Sequence, residues 1–259
     1  MGQIAGLRPR RQRGDGGEVS AAAVDRVDAL EKEAWPVAAA WLNDSTAAST
    51  RQTRLEALAA FLLWLEGAAP GLGLLAVTED HLVAYQDAAA TGTLSAGVRI
   101  PGKPLGPATV AKRINNLKSF YRYARRRKVI ADNPAEAVSV PPVSRKGSTL
   151  PLSRTEQIAL RDGVMKLALI DPARAAAVAL GAALGARAGS LQHLTVGDIT
   201  EQPDADGHGT HTIVTIRVKG GTHHKLPVPP ATAALIAPLR QRARHLPLFT
   251  QDDGSSVDR

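Results

Sequence analysis

The chain has 259 residues, no cysteine and a formal net charge of +8. The absence of cysteine excludes disulfides, thiolate chemistry and cysteine-ligated zinc. A hydrophobic fraction of 44% and a charged fraction of 22% are typical of a globular protein, and the excess of positive charge favours a polyanionic partner.

The termini and the apolar runs give no indication of a membrane. The longest apolar run, residues 175–186, is too short to span a bilayer. Residues 1–34 are predicted to form a basic, partly disordered arm, and the Gly/Asp-rich stretch 14–18 stands where a signal peptide needs apolar residues. We therefore expect a cytoplasmic protein without a membrane partner.

Two helices are predicted before residue 92. The first begins at Ser49, because Ser49–Gln52 has capping-box spacing and apolar residues then recur every three or four positions up to Leu65. The second follows a cap at Thr78 and has as its apolar positions Leu82, Val83 and Tyr85. Residues 91–106 form a Gly/Pro-rich loop.

A third helix is predicted from Pro107 to the Asn133-Pro134 pair. Its core stripe, at spacings of four and three, consists of Val110, Ile114, Leu117, Tyr121 and Ala124. Its other faces carry Phe120, Tyr123 and eight cations with no acidic residue among them: Lys112, Arg113, Lys118, Arg122, Arg125, Arg126, Arg127 and Lys128. A solvated helix usually mixes both signs of charge, so this pattern favours contacts with DNA phosphates over a merely solvated face.

The chain is predicted to contain two domains. Residues 35–142 form a helical DNA-binding domain, and residues 151–259 form the second domain. The Pro/Ser-rich linker 143–150 adds two possible DNA contacts, Arg145 and Lys146.

The second domain is predicted to bring two cations to one site. Capping patterns at Ser153 and Asp171 open two helices, and the second, through Leu184, is expected to be a buried helix that delivers Arg187. The alternating segment 211–218 predicts a β-hairpin that delivers Lys219.

Residues 184–191, Asp198-Ile199 and the hairpin 216–228 together resemble the tyrosine recombinases, the family of phage integrases and Xer-type recombinases. Residues 107–134 resemble the core-binding domain of that family. The resemblance implies a mainly α fold with a small β-hairpin or sheet. An all-helical, SAM-like core-binding domain would precede a partial α+β catalytic domain.

The same resemblance implies a chemistry. In this family a Tyr hydroxyl attacks a DNA phosphodiester and forms a 3′-phosphotyrosine, without a metal or nucleotide cofactor. Arg187 would stabilise the charge on the phosphate, and Lys219 would protonate the leaving oxygen. The partners would be duplex DNA and other recombinase protomers on that DNA, with no small-molecule substrate.

The chain departs from the family pattern in two ways. Ser190 stands where the family commonly has an acidic residue. The His-x-x-Arg pair and the nucleophilic tyrosine of the family are also missing, since the only tyrosines are Tyr85, Tyr121 and Tyr123. We therefore expect a truncated or inactive recombinase. The alternative is a non-catalytic DNA-binding protein that occupies recombination sites or competes with an intact recombinase, and the coding sequence after codon 259 would separate the two.

Two other hypotheses fit the sequence less well. A metal site built from His208, His211, His223 and His224 lacks three or four convergent ligands, so no metal is expected. A helix-turn-helix regulator would use residues 182–194, which are too apolar and Gly-rich to read bases.

Overall fold

The structure is a computed structural model that describes residues 9–10, 19–95, 97–143, 150–204, 206–218 and 221–249. The chain divides into two compact units, residues 1–147 and residues 148–259. The first unit is built from helices, and the second combines helices with a three-stranded antiparallel sheet. The predicted fold class is therefore confirmed.

The first unit has five α-helices, a 3₁₀ helix (Leu74–Ala76) and a short pair of parallel strands in the described residues. Its elements are β1 (Pro9–Arg10), β2 (Val19–Ser20), α1 (Ala21–Asp28), α2 (Ala34–Asn43), α3 (Ala48–Ala68), α4 (Glu79–Thr91) and α5 (Pro107–Arg126). Helix α1 belongs to the core of this unit, because Val24 and Val27 are buried with the larger helices.

Helix α5 is the central element of the first unit and packs against α2, α3 and α4. Pro107 begins the helix, where its missing N–H costs no intrahelical hydrogen bond. All five residues of the predicted core stripe are buried, as the spacing predicts. One side of α5 is thus buried in the core of the first unit, and the opposite side carries polar residues.

The aromatic side chains of α5 differ from the sequence interpretation. Phe120, which was grouped with the cations, is completely buried, with its ring centre 5.5 Å from that of Trp41 and 5.0 Å from that of Tyr121. Edge-on ring pairs of this kind stabilise a core beyond the area that they bury. Phe120 is therefore a core residue and has no access to DNA.

The end of α5 also differs from the prediction. The helix ends at Arg126. Two residues later, Lys128 adopts a left-handed conformation with φ of 58° and closes the last turn. Pro134 lies too far beyond this turn to decide where the helix stops. The Asn133 side chain instead accepts a hydrogen bond from the Ala135 N–H (3.0 Å) and forms a separate turn.

The capping box predicted at Ser49 is wrong. Helix α3 begins at Ala48, so Ser49 lies inside the first turn, and the Gln52 side chain donates to Glu56 (3.1 Å) rather than reaching back. The predicted start of α4 after Thr78 is correct, and the Thr78 N–H donates to His81 Nδ1 (3.2 Å). Val83 is 38% exposed because it lies off the buried stripe of α4.

The second unit contains four α-helices, two 3₁₀ helices (Val196–Asp198 and Ala237–Gln241) and three strands in its described part. Its elements are α6 (Arg154–Ala168), α7 (Pro172–Leu184), α8 (Ala188–Gln192), β3 (Ile199–Pro203), β4 (Thr210–Arg217), β5 (His223–Pro227) and α9 (Pro230–Ile236). The strand order is β3-β4-β5, and both pairs are antiparallel. Val214 on the central strand lies opposite Ile199 and Leu226 and faces the core.

The predicted helix starts in this unit are confirmed, but the predicted burial of α7 is not. Ser153 and Glu156 form a reciprocal capping box, and Asp171 accepts from the Arg174 N–H (2.9 Å). Helix α7 is buried on one face only, and Val178 on another face is 38% exposed. Most of this helix consists of alanines, whose short side chains leave a groove between α6, α7 and α9.

Among the described helices, none has the length and hydropathy needed to cross a bilayer.

The burial of Phe120 predicts a large loss of stability on truncation. Phe120→Ala should lower the free energy of unfolding by about 3–5 kcal/mol, since it removes ring contacts and leaves a cavity. Urea unfolding followed by circular dichroism measures the change. Val83→Ala is the matched control and should change the free energy of unfolding by less than about 0.5 kcal/mol. Similar losses in both variants would contradict the burial of Phe120.

Candidate nucleic-acid interface

The cations of α5 fall into three groups according to what their side chains contact. The first group is bound inside the first unit. Arg113 donates to the Tyr85 hydroxyl (3.0 Å) and to the Gly97 carbonyl, and Lys118 Nζ lies 2.6 Å from the Val138 carbonyl oxygen. These donors join α5 to α4 and to loops of the unit. We therefore assign Arg113 and Lys118 a structural role rather than phosphate contacts.

The second group consists of arginines that form exposed ion pairs. Arg125 pairs with Glu136 at 2.7 Å, and Arg126 lies 3.7 Å from Asp44 and stacks over the Tyr123 ring at 5.0 Å. The acidic partners come from other segments of the first unit, so the sequence of the helix does not reveal them. Exposed pairs of this kind contribute about 0–1 kcal/mol, so a polyanion can compete for these arginines.

The third group has no internal partner. Lys112, Arg122, Arg127 and Lys128 are exposed, and their side chains form no hydrogen bond or ion pair with any residue that the structure describes. Like charges held close together on one helix repel each other, and no acid offsets them. Fixed cations in this arrangement favour the binding of a polyanion.

The side of α5 opposite the core forms a polar stripe, in which Ser119 is half-buried and accepts a hydrogen bond from Trp41 Nε1 (3.2 Å). Residues 112, 115, 119, 122 and 126 follow each other at spacings of three and four, which places them on one side of the helix over about 21 Å. Asn115 is exposed within this stripe and is suited to hydrogen bonds with base edges. Asn115 carries no charge and so is not marked by the cation pattern, but its spacing of three from Lys112 places it on the same side of the helix.

In the second unit, Arg187 lies on the surface directly before α8. Gly185 ends α7 in a left-handed conformation (φ 60°), and Arg187 then occupies the N-cap position of α8 in extended conformation. Its side chain is exposed and forms no hydrogen bond or ion pair with a described residue. Lys219, its predicted companion, and the linker cations Arg145 and Lys146 lie outside the described residues.

The hairpin of β4 and β5 presents two basic side chains, Arg217 and Lys225, that were not predicted as site residues, next to His223. Arg217 lies opposite His223, and Thr215 lies opposite Lys225, so all four lie on the same face of the hairpin. Arg217, His223 and Lys225 are exposed, whereas Val214 and Ile216 on the other face belong to the core. The alternation of strand residues would have revealed this basic face.

The three tyrosines are poorly placed to act as nucleophiles. Burial raises the pKa of Tyr121 well above its usual value, and its hydroxyl donates to the Leu74 carbonyl (3.0 Å). Burial also raises the pKa of Tyr85, an effect that Arg113 partly offsets. Tyr123 is half-buried beneath Arg126.

The histidines do not assemble into a metal site within the described part of the chain. His211 Nδ1 lies 2.8 Å from Asp204 Oδ1, and this pair joins the start of β4 to the preceding loop. No group of three or more potential metal ligands is present among the described residues.

Comparison with known proteins identifies the fold. No protein-family model matches the sequence, and no curated protein sequence matches it. Three solved structures are similar: the XerH site-specific recombinase bound to difH substrate, a lambda integrase dimer bound to a COC′ core site, and the Tn1549 transposon integrase in complex with circular intermediate DNA.

The likeness to these structures extends over most of the chain. For XerH the TM-score is 0.56 at 13% identity, over 92% of this chain and 72% of that one. For lambda integrase the TM-score is 0.56 at 14% identity, over 85% of this chain and 75% of that one. For Tn1549 integrase the TM-score is 0.55 at 14% identity, over 86% of this chain and 72% of that one. The chain thus has the fold of the tyrosine recombinases, and the resemblance drawn from the sequence is confirmed at the level of the fold.

The grouping of the α5 cations can be tested through stability alone. Arg113→Ala should lower the free energy of unfolding by about 1–3 kcal/mol, since it leaves the Tyr85 hydroxyl and a carbonyl without their donor. Arg122→Ala removes an exposed side chain of the same type from the same helix and should change it by less than about 0.5 kcal/mol. Urea denaturation of both variants measures the difference. Equal effects would refute the assignment of different roles.

Proposed function

We propose that this protein binds duplex DNA as a site-specific recombination or integration protein. The observation that carries the proposal is the set of exposed cations on α5 and directly after it that have no partner among the described residues. Phosphate neutralisation by Lys and Arg provides a large share of the affinity of proteins for DNA, and cations without an acidic partner bind phosphate without first breaking an ion pair. Lys112 and Arg122 on α5, with Arg127 and Lys128 directly after it, have no acidic partner among the described residues.

The similar structures support this proposal from a different direction. Their names describe recombinases and integrases in complex with DNA, and this chain shares their fold over most of its length. By analogy, we propose duplex DNA and other protomers bound to the same DNA as the partners of this protein. Arg187 and Lys219 would then contact the phosphate at which the family acts. A planar guanidinium donates two parallel hydrogen bonds to phosphate oxygens.

We further propose that residues 1–259 alone bind DNA without cleaving it. A tyrosine nucleophile must reach the phosphate and lose its proton there. Two of the three tyrosines are buried, with pKa values raised by that burial, and the third lies under Arg126. The same observation favours the alternative role of a non-catalytic protein that occupies recombination sites.

DNA binding should depend steeply on salt. If Lys112, Arg122, Arg127 and Lys128 each neutralise one phosphate, a plot of log K against log salt concentration should have a slope of roughly −4. Arg122→Gln combined with Arg127→Gln should reduce the magnitude of that slope by about 2. Fluorescence anisotropy with a random-sequence duplex over a salt series measures both values.

The control for this experiment is Lys32→Gln combined with Lys166→Gln. It removes the same charge from exposed lysines on a turn and on α6. It should leave the slope within experimental error of the wild-type value. Salt-insensitive binding, no binding, or equal losses in both double variants would contradict the role of α5.

The protein should form no covalent adduct with DNA. Incubation with a pool of nicked random-sequence duplexes, followed by a denaturing gel, should show no slower-migrating protein band, because no tyrosine is available to form a phosphotyrosine bond. An intact tyrosine recombinase with its own nicked site serves as the positive control. A band that survives denaturation and is lost in Tyr123→Phe would show that the chain cleaves DNA.

A further inference from the structure

Lys128 has an unusual backbone conformation. Its φ is 58°, and every other described residue with a positive φ is a glycine. A side chain in this left-handed region places its Cβ against the following carbonyl oxygen, which costs free energy that glycine does not lose. Outliers of this kind concentrate at functional sites, so the presence of a lysine here calls for a reason.

The fold itself does not require a side chain at this position. The Lys128 N–H donates to the Arg125 carbonyl (2.9 Å), and the Val129 N–H donates to the Ala124 carbonyl (3.0 Å). These two bonds close α5 in the manner of a Schellman motif, in which glycine is the usual residue. Only backbone atoms take part, so a glycine would form the same bonds with less strain.

The side chain of Lys128 also has no partner that explains it. It is exposed and forms no hydrogen bond or ion pair with a described residue. A cation at this end of a helix interacts favourably with the helix dipole, but Arg125 and Arg126 already occupy the last turn, and Arg127 follows them. A fourth cation adds repulsion among like charges.

We infer that Lys128 is retained in its strained conformation because its ammonium group binds a DNA phosphate beyond the end of α5. This inference rests on the proposed DNA-binding function and extends its surface past the helix. Arg122 would contact a phosphate from within α5 and Arg127 from its C-cap position, and the left-handed backbone at Lys128 takes the chain off the helical path. Folding therefore favours glycine at position 128, whereas phosphate binding favours lysine.

Three variants separate these effects. Lys128→Gly removes the charge and the strain, Lys128→Asn removes the charge but keeps a side chain that tolerates this conformation, and Lys128→Arg keeps the charge. Lys128→Gly should melt at the same temperature as the wild type or higher. It should also bind a random-sequence duplex roughly 3- to 10-fold more weakly at about 0.1 M salt, with a salt slope smaller by about 1. Lys128→Asn should show the same loss of binding, and Lys128→Arg should retain wild-type binding.

Each other outcome overturns a specific statement. If Lys128→Gly binds DNA as tightly as the wild type, Lys128 is not a phosphate contact. If the same variant has a lower melting temperature, the lysine does not cost the fold stability. Lys32→Asn removes the same charge elsewhere, and an equal loss of affinity there would make net charge the cause. If the wild type itself fails to bind duplex DNA, the proposed function falls, whereas the first outcomes leave it standing.

Discussion

The burial of one side of α5 among three neighbouring helices is the constraint on which the rest of the first unit depends. Phe120 and Tyr121 lie at the centre of that contact and are completely inaccessible to solvent. Because an α-helix repeats every 3.6 residues, fixing these side chains in the core also fixes which residues face outward. The polar stripe from Lys112 to Arg126 is the geometric consequence. A shift of α5 by one residue would bury cations and expose aromatic rings, both at a cost of several kcal/mol.

This constraint also explains why one run of cations serves several purposes. Arg113 and Lys118 lie at the edges of the buried side, where their long side chains reach carbonyl oxygens and a hydroxyl of neighbouring segments. Hydrogen bonds with charged donors contribute more than exposed ion pairs, so these cations hold the unit together. Arg122 and Lys112 project into solvent and meet no acid among the residues that the structure describes. The positive charge of the helix thus has a structural part and a part available to a polyanion.

The second unit has a smaller core, and its cations Arg187, Arg217 and Lys225 are exposed at its surface. The central strand β4 contributes Val214 and Ile216 to that core, and its alternate residues place Arg217 on the opposite face. Helix α6 has a single buried side chain, Val164, and Leu169 beyond its end is 89% exposed. Elements with so little buried apolar surface open at low free-energy cost. We therefore expect α6 to open at a lower free-energy cost than α5.

Much of this protein follows from its sequence alone. The core stripe of α5, its start at Pro107, the capping box at Ser153 and the hairpin all depend on local spacing or on backbone chemistry, which the sequence contains directly. Local rules failed where tertiary contacts decide: Phe120 has the same neighbours in sequence as the cations, yet it packs on Trp41, which is distant in the chain. The partners of Arg113 likewise come from another helix and a loop, so its role could not be read from its position among cations. Spacing determines which side of a helix a residue occupies, but only packing determines what it meets there.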